Sequence, residues 1–415
     1  MSNISDLCRS AAAAAKKFVS VGENVKNMML DAIADAILAN SEAIKQANEI
    51  DIDKAEKNGK DKTFVDRLTL TDSRIQLMAE GIRAVAALKD PVGEITEQYD
   101  LPSGLNVTKV RTPLGVVAII YEARPNVTVD CAALTLKSGN AVVLRGSKDA
   151  INSNRALFQL MRNALISGGY DGEIIQFIDD ESRESTLQLL QQSDFVDVVI
   201  PRGADQLKNW VLANAKMPVL ASAGGNCHTY IENSADIAMA DNIVFNAKVQ
   251  RPSVCNATEQ LLVDEEIAEK FLPLSLKRLS DAGVRIYGCD KTCKIYKDAL
   301  KASNKDYYTE HLDYVISVKV VSGIDEAIDW INEHNSGHSE CIVTDNIDKA
   351  HKFTSLVDAA AVYVNASTRF TDGFELGLGA EMGISTQKLH ARGPIGLKEL
   401  TSVKYVVTGS GQIRK

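Results

Sequence analysis

With 415 residues, the chain is long enough for two or three domains at roughly 100–200 residues each, and its core needs no disulfide or metal staple. A composition of 45% hydrophobic and 24% charged residues, with 26 Gly and 9 Pro, excludes disordered, collagen-like and low-complexity classes. The net charge of -9, from 46 Lys plus Arg against 55 Asp plus Glu, argues against nucleic acid or an anionic membrane as the main partner.

The N-terminus shows no basic segment followed by a long apolar core, because Asp6 and Arg9 precede the alanine run Ala11 to Ala15. From Ser5 to about Asp90 the chain is polar, alanine-rich and helically periodic, with Met28, Met29, Ile33, Ala36 and Ile37 expected on one stripe. Tyr99 to Val110 breaks that period with Pro102, Gly104 and alternating apolar residues, which suits a hairpin. The apolar run Leu114 to Ile120 is far short of the roughly 20 residues that span a bilayer. It reads as a buried strand over Val116 to Ile120, followed by a helix from Val127 to Leu136, a Ser138-Gly139-Asn140 turn and a second strand, Ala141 to Leu144. Strand, helix, strand in so short a span is a βαβ unit.

The theme recurs with helix Asn152 to Ile166 and strand Ile174 to Phe177, helix Ser182 to Leu190 and strand Val196 to Ile200, then Val219 to Ala221. A second alternation follows: helix Ala235 to Val249, strand Leu261 to Val263, helix Ile267 to Ala282, strand Val284 to Tyr287, and strands at Ile316 to Val321, Glu340 to Val343 and Ala361 to Val364. Two successive α/β units with mostly parallel sheets are the economical reading. The isolated β-branched tail Ser402 to Val407 is a strand that must pair with something distant or with another subunit.

Seven cysteines, an odd number without a CxxC pair, fit a reducing cytoplasm and no zinc site. Cys289 and Cys293 have no second pair nearby, so no metal is expected. There is no GxGxxG and no GxxxxGK[ST], which excludes a conventional dinucleotide fingerprint and a P-loop. Cys255 lies instead in a polar loop, Gln250-Arg251-Pro252-Ser253-Val254-Cys255-Asn256, between a helix and an apolar strand. Lys248 and Arg251 nearby would favour its thiolate. By residue chemistry alone it is either a small structural hydrophobe or a nucleophile.

The phrases Tyr121-Glu122-Ala123-Arg124-Pro125-Asn126-Val127, Val143-Leu144-Arg145-Gly146, Ile200-Pro201-Arg202-Gly203, Gly225-Asn226-Cys227-His228, Asn365-Ala366-Ser367-Thr368-Arg369-Phe370-Thr371-Asp372-Gly373 and Arg392-Gly393-Pro394-Ile395-Gly396-Leu397 occur in that order. In them the chain, from about Arg111 onward, resembles the aldehyde dehydrogenase superfamily and most closely its γ-glutamyl phosphate reductase family. The resemblance implies an α/β fold with two Rossmann-like domains and a β oligomerisation element. A dinucleotide domain would span residues 1–97 and 113–225, a catalytic domain 226–390, and the oligomerisation element 98–112 and 391–415. It further implies that Cys255 attacks an acyl phosphate, glutamyl 5-phosphate, to form a thioester that NADPH reduces to glutamate 5-semialdehyde. Asn126, with the cysteine's own N–H, would stabilise the oxyanion.

For the cofactor, the resemblance points to Arg145 and Lys148 at the adenosine ribose, where Lys148 stands in place of the glutamate common in NAD-preferring members and would attract a 2′-phosphate. Its alternative is a solvated surface lysine. Pro201, Arg202 and Gly203 would bring backbone N–H groups to the pyrophosphate at a helix N-terminus, and Glu310 would bind the nicotinamide ribose. Arg124, Lys248, Arg251 and Arg369, with Ser367 and Thr368, are the candidates for the substrate's carboxylate and phosphate, each also open to a structural ion-pair or hydrogen-bond role. His228 and His338 are read as structural. Oxidising relatives carry a water-activating glutamate ahead of the Gly-Gly pair, whereas this chain reads Ser222-Ala223-Gly224-Gly225, with Ala223 in that place. An aldehyde-oxidising NAD(P) dehydrogenase and a catalytically silent α/β binding protein are therefore the rival readings. A homo-oligomer is expected, and with no fused kinase region in view a separate glutamate 5-kinase, a possible transient partner, would supply the substrate.

Overall fold

A computed structural model describes residues 3–222 and 224–414. The chain divides into two compact units, one built from Met1–Ala221, Leu378–Gly383 and Ile395–Lys415, the other from Ser222–Gly377 and Ile384–Pro394.

In the first unit the polar N-terminal region forms helices Ile4–Phe18, Glu23–Ala39, Ser41–Lys57, Lys62–Leu68 and Asp72–Ala87. Asp61 and Thr71 accept backbone N–H groups at two of their starts, the usual work of a short polar side chain at an N-cap. The inward stripe of Glu23–Ala39 is Met29, Leu30, Ile33, Ala34 and Ile37. Met28, expected on it, points outward at 59% exposure, because a 100° step per residue separates it from Met29. Helix Ile151–Ser167 lacks a side-chain cap of its own, and the buried Asp51 supplies one from another helix by accepting from the Ser153 N–H and hydroxyl at 2.8 and 2.6 Å. Helices Ser41–Lys57 and Ile151–Ser167 are thereby fastened together.

The sheet of this unit is parallel, in the order Ile175–Phe177, Ala141–Arg145, Val116–Tyr121, Val198–Arg202, with Val219 bridging in parallel onto Val199. Every side chain of Val116–Tyr121 is buried, as a strand covered on both faces requires; each buried Val or Ile contributes about 1.5–3 kcal/mol. Chain order reverses direction in space between Val116–Tyr121 and Val198–Arg202. In open α/β sheets that is where ligands bind, beyond the carboxyl ends of the strands. A separate three-stranded antiparallel sheet pairs Ile95–Asp100 with Asn106–Pro113, and Asn106–Pro113 with Thr401–Thr408. The tail strand thus finds its partner within its own chain, and the hairpin starts at Ile95 rather than at 98.

The second unit holds a seven-stranded parallel sheet in the order Leu300–Lys301, Arg285–Gly288, Val315–Val321, Thr258–Asp264, Cys227–Ile231, Ser339–Val343, Ala361–Val364. Leu261, Val263, Ile316, Val318, Cys341 and Val343 pack with helices Ile237–Val249 and Glu265–Asp281. Tyr230, Leu262 and Ile342 pack with Ile324–His334 and Ile347–Leu356. The central strand Cys227–Ile231 and these last two helices are additions to the sequence reading. Among the described residues, no helix is long and apolar enough to cross a membrane.

Candidate active site

In the first unit a cavity of about 310 Å³ opens at the point where strand order reverses. It is lined by Tyr121 and Glu122 after one strand, Arg145 and Ser147 after the next, and Arg183 and Trp210 from the helices that follow. This is the size and place of a small-ligand site in a parallel α/β sheet. Arg145, one of the residues expected at the cofactor, lines it, and its guanidinium is braced by the carbonyls of Gly146 (2.7 Å) and Ser182 (2.9 Å). Burial lowers its pKa, while Asp180 and Glu181 offset that effect. Lys148 is exposed at the start of the short turn Lys148–Ala150.

The Pro201-Arg202-Gly203 segment does enter helix Asp205–Asn214 as expected, but a carboxylate already stands at that end. Glu122 Oε1 accepts the Ala204 N–H at 2.8 Å, and a Cβ on Gly203 would lie 2.5 Å from the Glu122 side chain. Glu122 was not singled out by the sequence, although it sits inside one of the recurring phrases. Arg124 is exposed in the same loop, and Asn126 opens helix Asn126–Lys137. The Asn126 Nδ2 donates to Asp130 Oδ2, one helical turn on, at 2.9 Å.

In the second unit Cys255 occupies a turn closed by the Ala257 N–H donating to the Val254 carbonyl at 3.1 Å, just before strand Thr258–Asp264. The surrounding phrases hold this turn. A Cβ on Gly225 would come within 1.5 Å of the Cys255 carbonyl oxygen, so only glycine permits the approach. The Gly225 N–H donates to Glu310 Oε1 at 2.6 Å, and a Cβ on Gly224 would lie 2.4 Å from Glu310 Oε2. The Gly-Gly pair is thus a thin plate between the Glu310 carboxylate and the Cys255 backbone. Asn226 is fixed by donating to the carbonyls of Tyr307 (2.9 Å) and His334 (2.8 Å), and the Cys227 thiol donates to the Cys255 carbonyl at 3.2 Å.

From the other side, the Thr368 hydroxyl donates to the Asn256 carbonyl at 2.7 Å, and the Asn256 amide donates to the Thr371 carbonyl at 2.9 Å. Arg369 binds the Asn256 side chain and donates from Nε to Gln250 at 2.8 Å. Burial is the main cause that lowers the Arg369 pKa, Arg251 lowers it further, and the Cys255 side chain opposes the shift. Two guanidinium groups therefore raise the positive potential near Cys255, with Arg251 exposed. Such a field favours a thiolate and an incoming anion alike. Ser367 accepts the Arg369 N–H at 3.3 Å and caps the short turn that presents Arg369. Thr368 and Ser367 are thus buried supports of the loop.

Of the candidate cations, Lys248 stands in an ion pair. Its side chain is fully buried and pairs with Glu259 at 2.8 Å, also fully buried, so its charge is turned into the core and away from a ligand. Desolvation lowers the pKa of Lys248 and raises that of Glu259 to about 7, each opposed by the partner's charge. Removing one member of such a pair strands the other. His228 and His338 are both buried: Glu340 accepts from the His228 backbone at 2.7 Å and pairs with its ring at 3.0 Å, and burial holds His338 down at about 4. Among the described residues, no cluster of three metal-ligating side chains gathers. Ala223, the position compared with the oxidising relatives' glutamate, lies outside the described residues.

A model of the aldehyde dehydrogenase family matches residues 2–286 and 300–406. A γ-glutamyl phosphate reductase of Dictyoglomus thermophilum is 54% identical over 392 residues, 94% of each chain. One of Caldicellulosiruptor saccharolyticus is 50% identical over 419 residues, 100% of each. The crystal structure of γ-glutamyl phosphate reductase from Thermotoga maritima is similar with a TM-score of 0.98 at 44% identity, each chain covered 100%.

Proposed function

The chain belongs to the aldehyde dehydrogenase family and, within it, to the γ-glutamyl phosphate reductases, and on that premise we propose that it reduces L-glutamyl 5-phosphate to L-glutamate 5-semialdehyde and phosphate, with NADPH as reductant and a thioester on Cys255 as intermediate. This is the second step of proline synthesis from glutamate. One observation supports it most: the Cys255 turn is clamped from both sides by the family phrases, with Arg251 and Arg369 as the nearby cations.

The proposed chemistry follows from those residues. The Cys255 thiolate attacks the γ-acyl carbon, the C–O bond to phosphate breaks, and phosphate leaves with its electron pair. Arg251 and Arg369 hold the anionic substrate and help carry off the phosphate. When bound, NADPH supplies the hydride that turns the thioester carbonyl into a hemithioacetal oxyanion. Asn126 donates a hydrogen bond to that oxyanion, and its collapse returns the electrons to Cys255 as thiolate, releasing the aldehyde. The cavity of the first unit fits the adenosine half of a dinucleotide, with Arg145, Ser147 and Arg183 as donors. Glu122, on the Ala204 N–H, is the group a pyrophosphate would have to accommodate there. Glu310, already fixed by the Gly225 N–H, is the proposed partner of the nicotinamide ribose.

The reducing cytoplasm is the proposed compartment, and a homo-oligomer the proposed state. In the tail strand Thr401–Thr408 every residue after Thr401 is exposed, Tyr405 at 60%. To test the activity, purified protein is given glutamate 5-semialdehyde, phosphate and NADP, with NADPH formation followed spectrophotometrically. Sustained NADPH formation that requires all three supports the reading; none under any condition sinks it.

Cofactor choice gives a narrower test. Because Lys148 is exposed beside the Arg145 cavity, wild type should prefer NADP(H) over NAD(H). Lys148→Glu should lower that preference about tenfold or more, since repulsion replaces attraction at the 2′-phosphate. The measurement is the ratio of kcat/KM for the two cofactors. An unchanged ratio in the variant would place Lys148 in solvent, apart from the cofactor.

A further inference from the structure

We propose that Asp130 is a positioning residue for Asn126, fixing which end of its carboxamide is presented as the oxyanion donor. This rests on the proposed role of Asn126. The two residues are four apart on helix Asn126–Lys137, the spacing that stacks side chains on one face. Asn126 Nδ2 donates one hydrogen to Asp130 Oδ2 at 2.9 Å.

A carboxamide has a donor end and an acceptor end of nearly equal shape, so it can turn over with little steric cost. An ionised carboxylate accepts only. While Asp130 is charged it binds the NH₂ end alone, which fixes the amide and leaves the second N–H free to be aimed at an oxyanion. Protonated, Asp130 gains an O–H that can donate to Asn126 Oδ1. The amide can then bind either way round, and in its turned form an oxygen stands where an N–H is needed.

The carboxyl group is placed to make that change within an accessible pH range. Burial pushes its pKa up to about 6, against the opposing Asn126 hydrogen bond and the charge of Arg202. Arg202, at the end of strand Val198–Arg202, is the charged group that acts on it. The neighbouring Cys131 thiol is pushed up to about 12 and stays neutral. On the packed helices Glu23 and Lys26, with Asp90 beyond them, gather instead around Lys137 at the opposite end of the Asn126 helix. The sign follows: the ordered arrangement is present above about pH 6 and is lost as pH falls through it.

Asp130→Asn is the informative variant, because it preserves shape and removes the acceptor-only property. At pH 7.5 it should lower kcat about tenfold, in the range by which misplacement of a catalytic donor slows chemistry. KM and the Kd for NADPH should stay within about twofold of wild type, as no binding group is removed. Between pH 7.5 and pH 5 the wild-type advantage should shrink toward unity, because wild type then loses the same property. A structural role would lower thermal stability without a ratio that tracks pH. Asn126→Ala is assayed alongside. If it loses about a hundredfold in kcat while Asp130→Asn matches wild type at every pH, the positioning claim is overturned and the role of Asn126 stands. If Asn126→Ala turns over like wild type, the reading of Asn126 falls and this proposal with it. A pH-independent ratio for Asp130→Asn likewise overturns it.

Discussion

Cys255→Ala is expected to abolish turnover, leaving less than about a hundredth of the wild-type rate, while NADPH binding stays nearly intact. The proposed covalent route would divide one hard reduction into two easier steps: thiolate displaces phosphate, and hydride then meets a thioester. Without the thiol, hydride would have to attack the acyl phosphate directly, and only positioning and the oxyanion donor would remain to help. Cys255→Ser should fare little better, since a hydroxyl is hardly ionised at neutral pH. NADPH binding should be spared because the cavity proposed for its adenosine half, lined by Arg145 and Arg183, belongs to the other unit. The comparison is of single-turnover rates and of NADPH fluorescence titrations. A Cys255→Ala enzyme retaining more than about a hundredth of the rate would exceed what non-covalent catalysis plausibly supplies. The remaining cysteines are expected to be dispensable for chemistry.

The second large effect is expected at Gly225. An added methyl group would meet the Cys255 carbonyl oxygen at 1.5 Å, about half a van der Waals contact, and the obstacle is backbone, which cannot rotate aside as a side chain can. Either the Gly225 segment leaves Glu310 or the Cys255 turn moves. A shift of about 1 Å at a nucleophile costs on the order of 10²-fold in rate, and overpacking adds about 1–3 kcal/mol of destabilisation. Gly225→Ala should therefore lose kcat at least about a hundredfold. Gly81→Ala provides the contrast, since a Cβ at Gly81, inside helix Asp72–Ala87, meets no atom within 4 Å; it should be neutral or stabilising by up to about 1 kcal/mol. Circular dichroism and thermal melting establish that the variants are folded before rates are compared. A folded Gly225→Ala enzyme with wild-type kcat would contradict the close approach.

The fold was legible where local chemistry and tertiary context agree. Val116 to Ile120 is an unbroken apolar run, and it is a strand buried on both faces. Cys227–Ile231 was hidden because Cys-His-Thr-Tyr reads as polar; what makes it a central strand is satisfaction from its neighbours, with Glu340 on His228 and Thr258 on Thr229. Helix Ile347–Leu356 carries a local signal in Asn346, which caps it by accepting the Asp348 and Lys349 N–H groups.

At the site, Asn126 lies inside one of the family phrases, whereas Cys255 stands in a polar loop outside them. The phrases themselves gain a physical reason: those containing Gly225 and Thr368 are the two sides of the clamp on the Cys255 turn. For Lys248 the sequence leaves a ligand role and an ion-pair role open, because its burial against Glu259 on the next strand depends on packing that no local signal shows. The meeting of Glu122 with the Ala204 N–H joins distant parts of the chain and left no local sign. Asp130 was within reach of the sequence, since four residues separate it from Asn126 on an expected helix.

If the acyl group passes through Cys255, the enzyme can be halted there. Enzyme is mixed with glutamate 5-semialdehyde and NADP in scrupulously phosphate-free buffer, quenched in acid, and digested for peptide mass mapping while NADPH is read in parallel. The account predicts a burst of NADPH of about one equivalent per site, followed by little further turnover. It also predicts a glutamyl adduct on the peptide bearing Cys255, discharged when phosphate or arsenate is added. Sustained NADPH formation without phosphate, or an adduct on any residue other than Cys255, would contradict it.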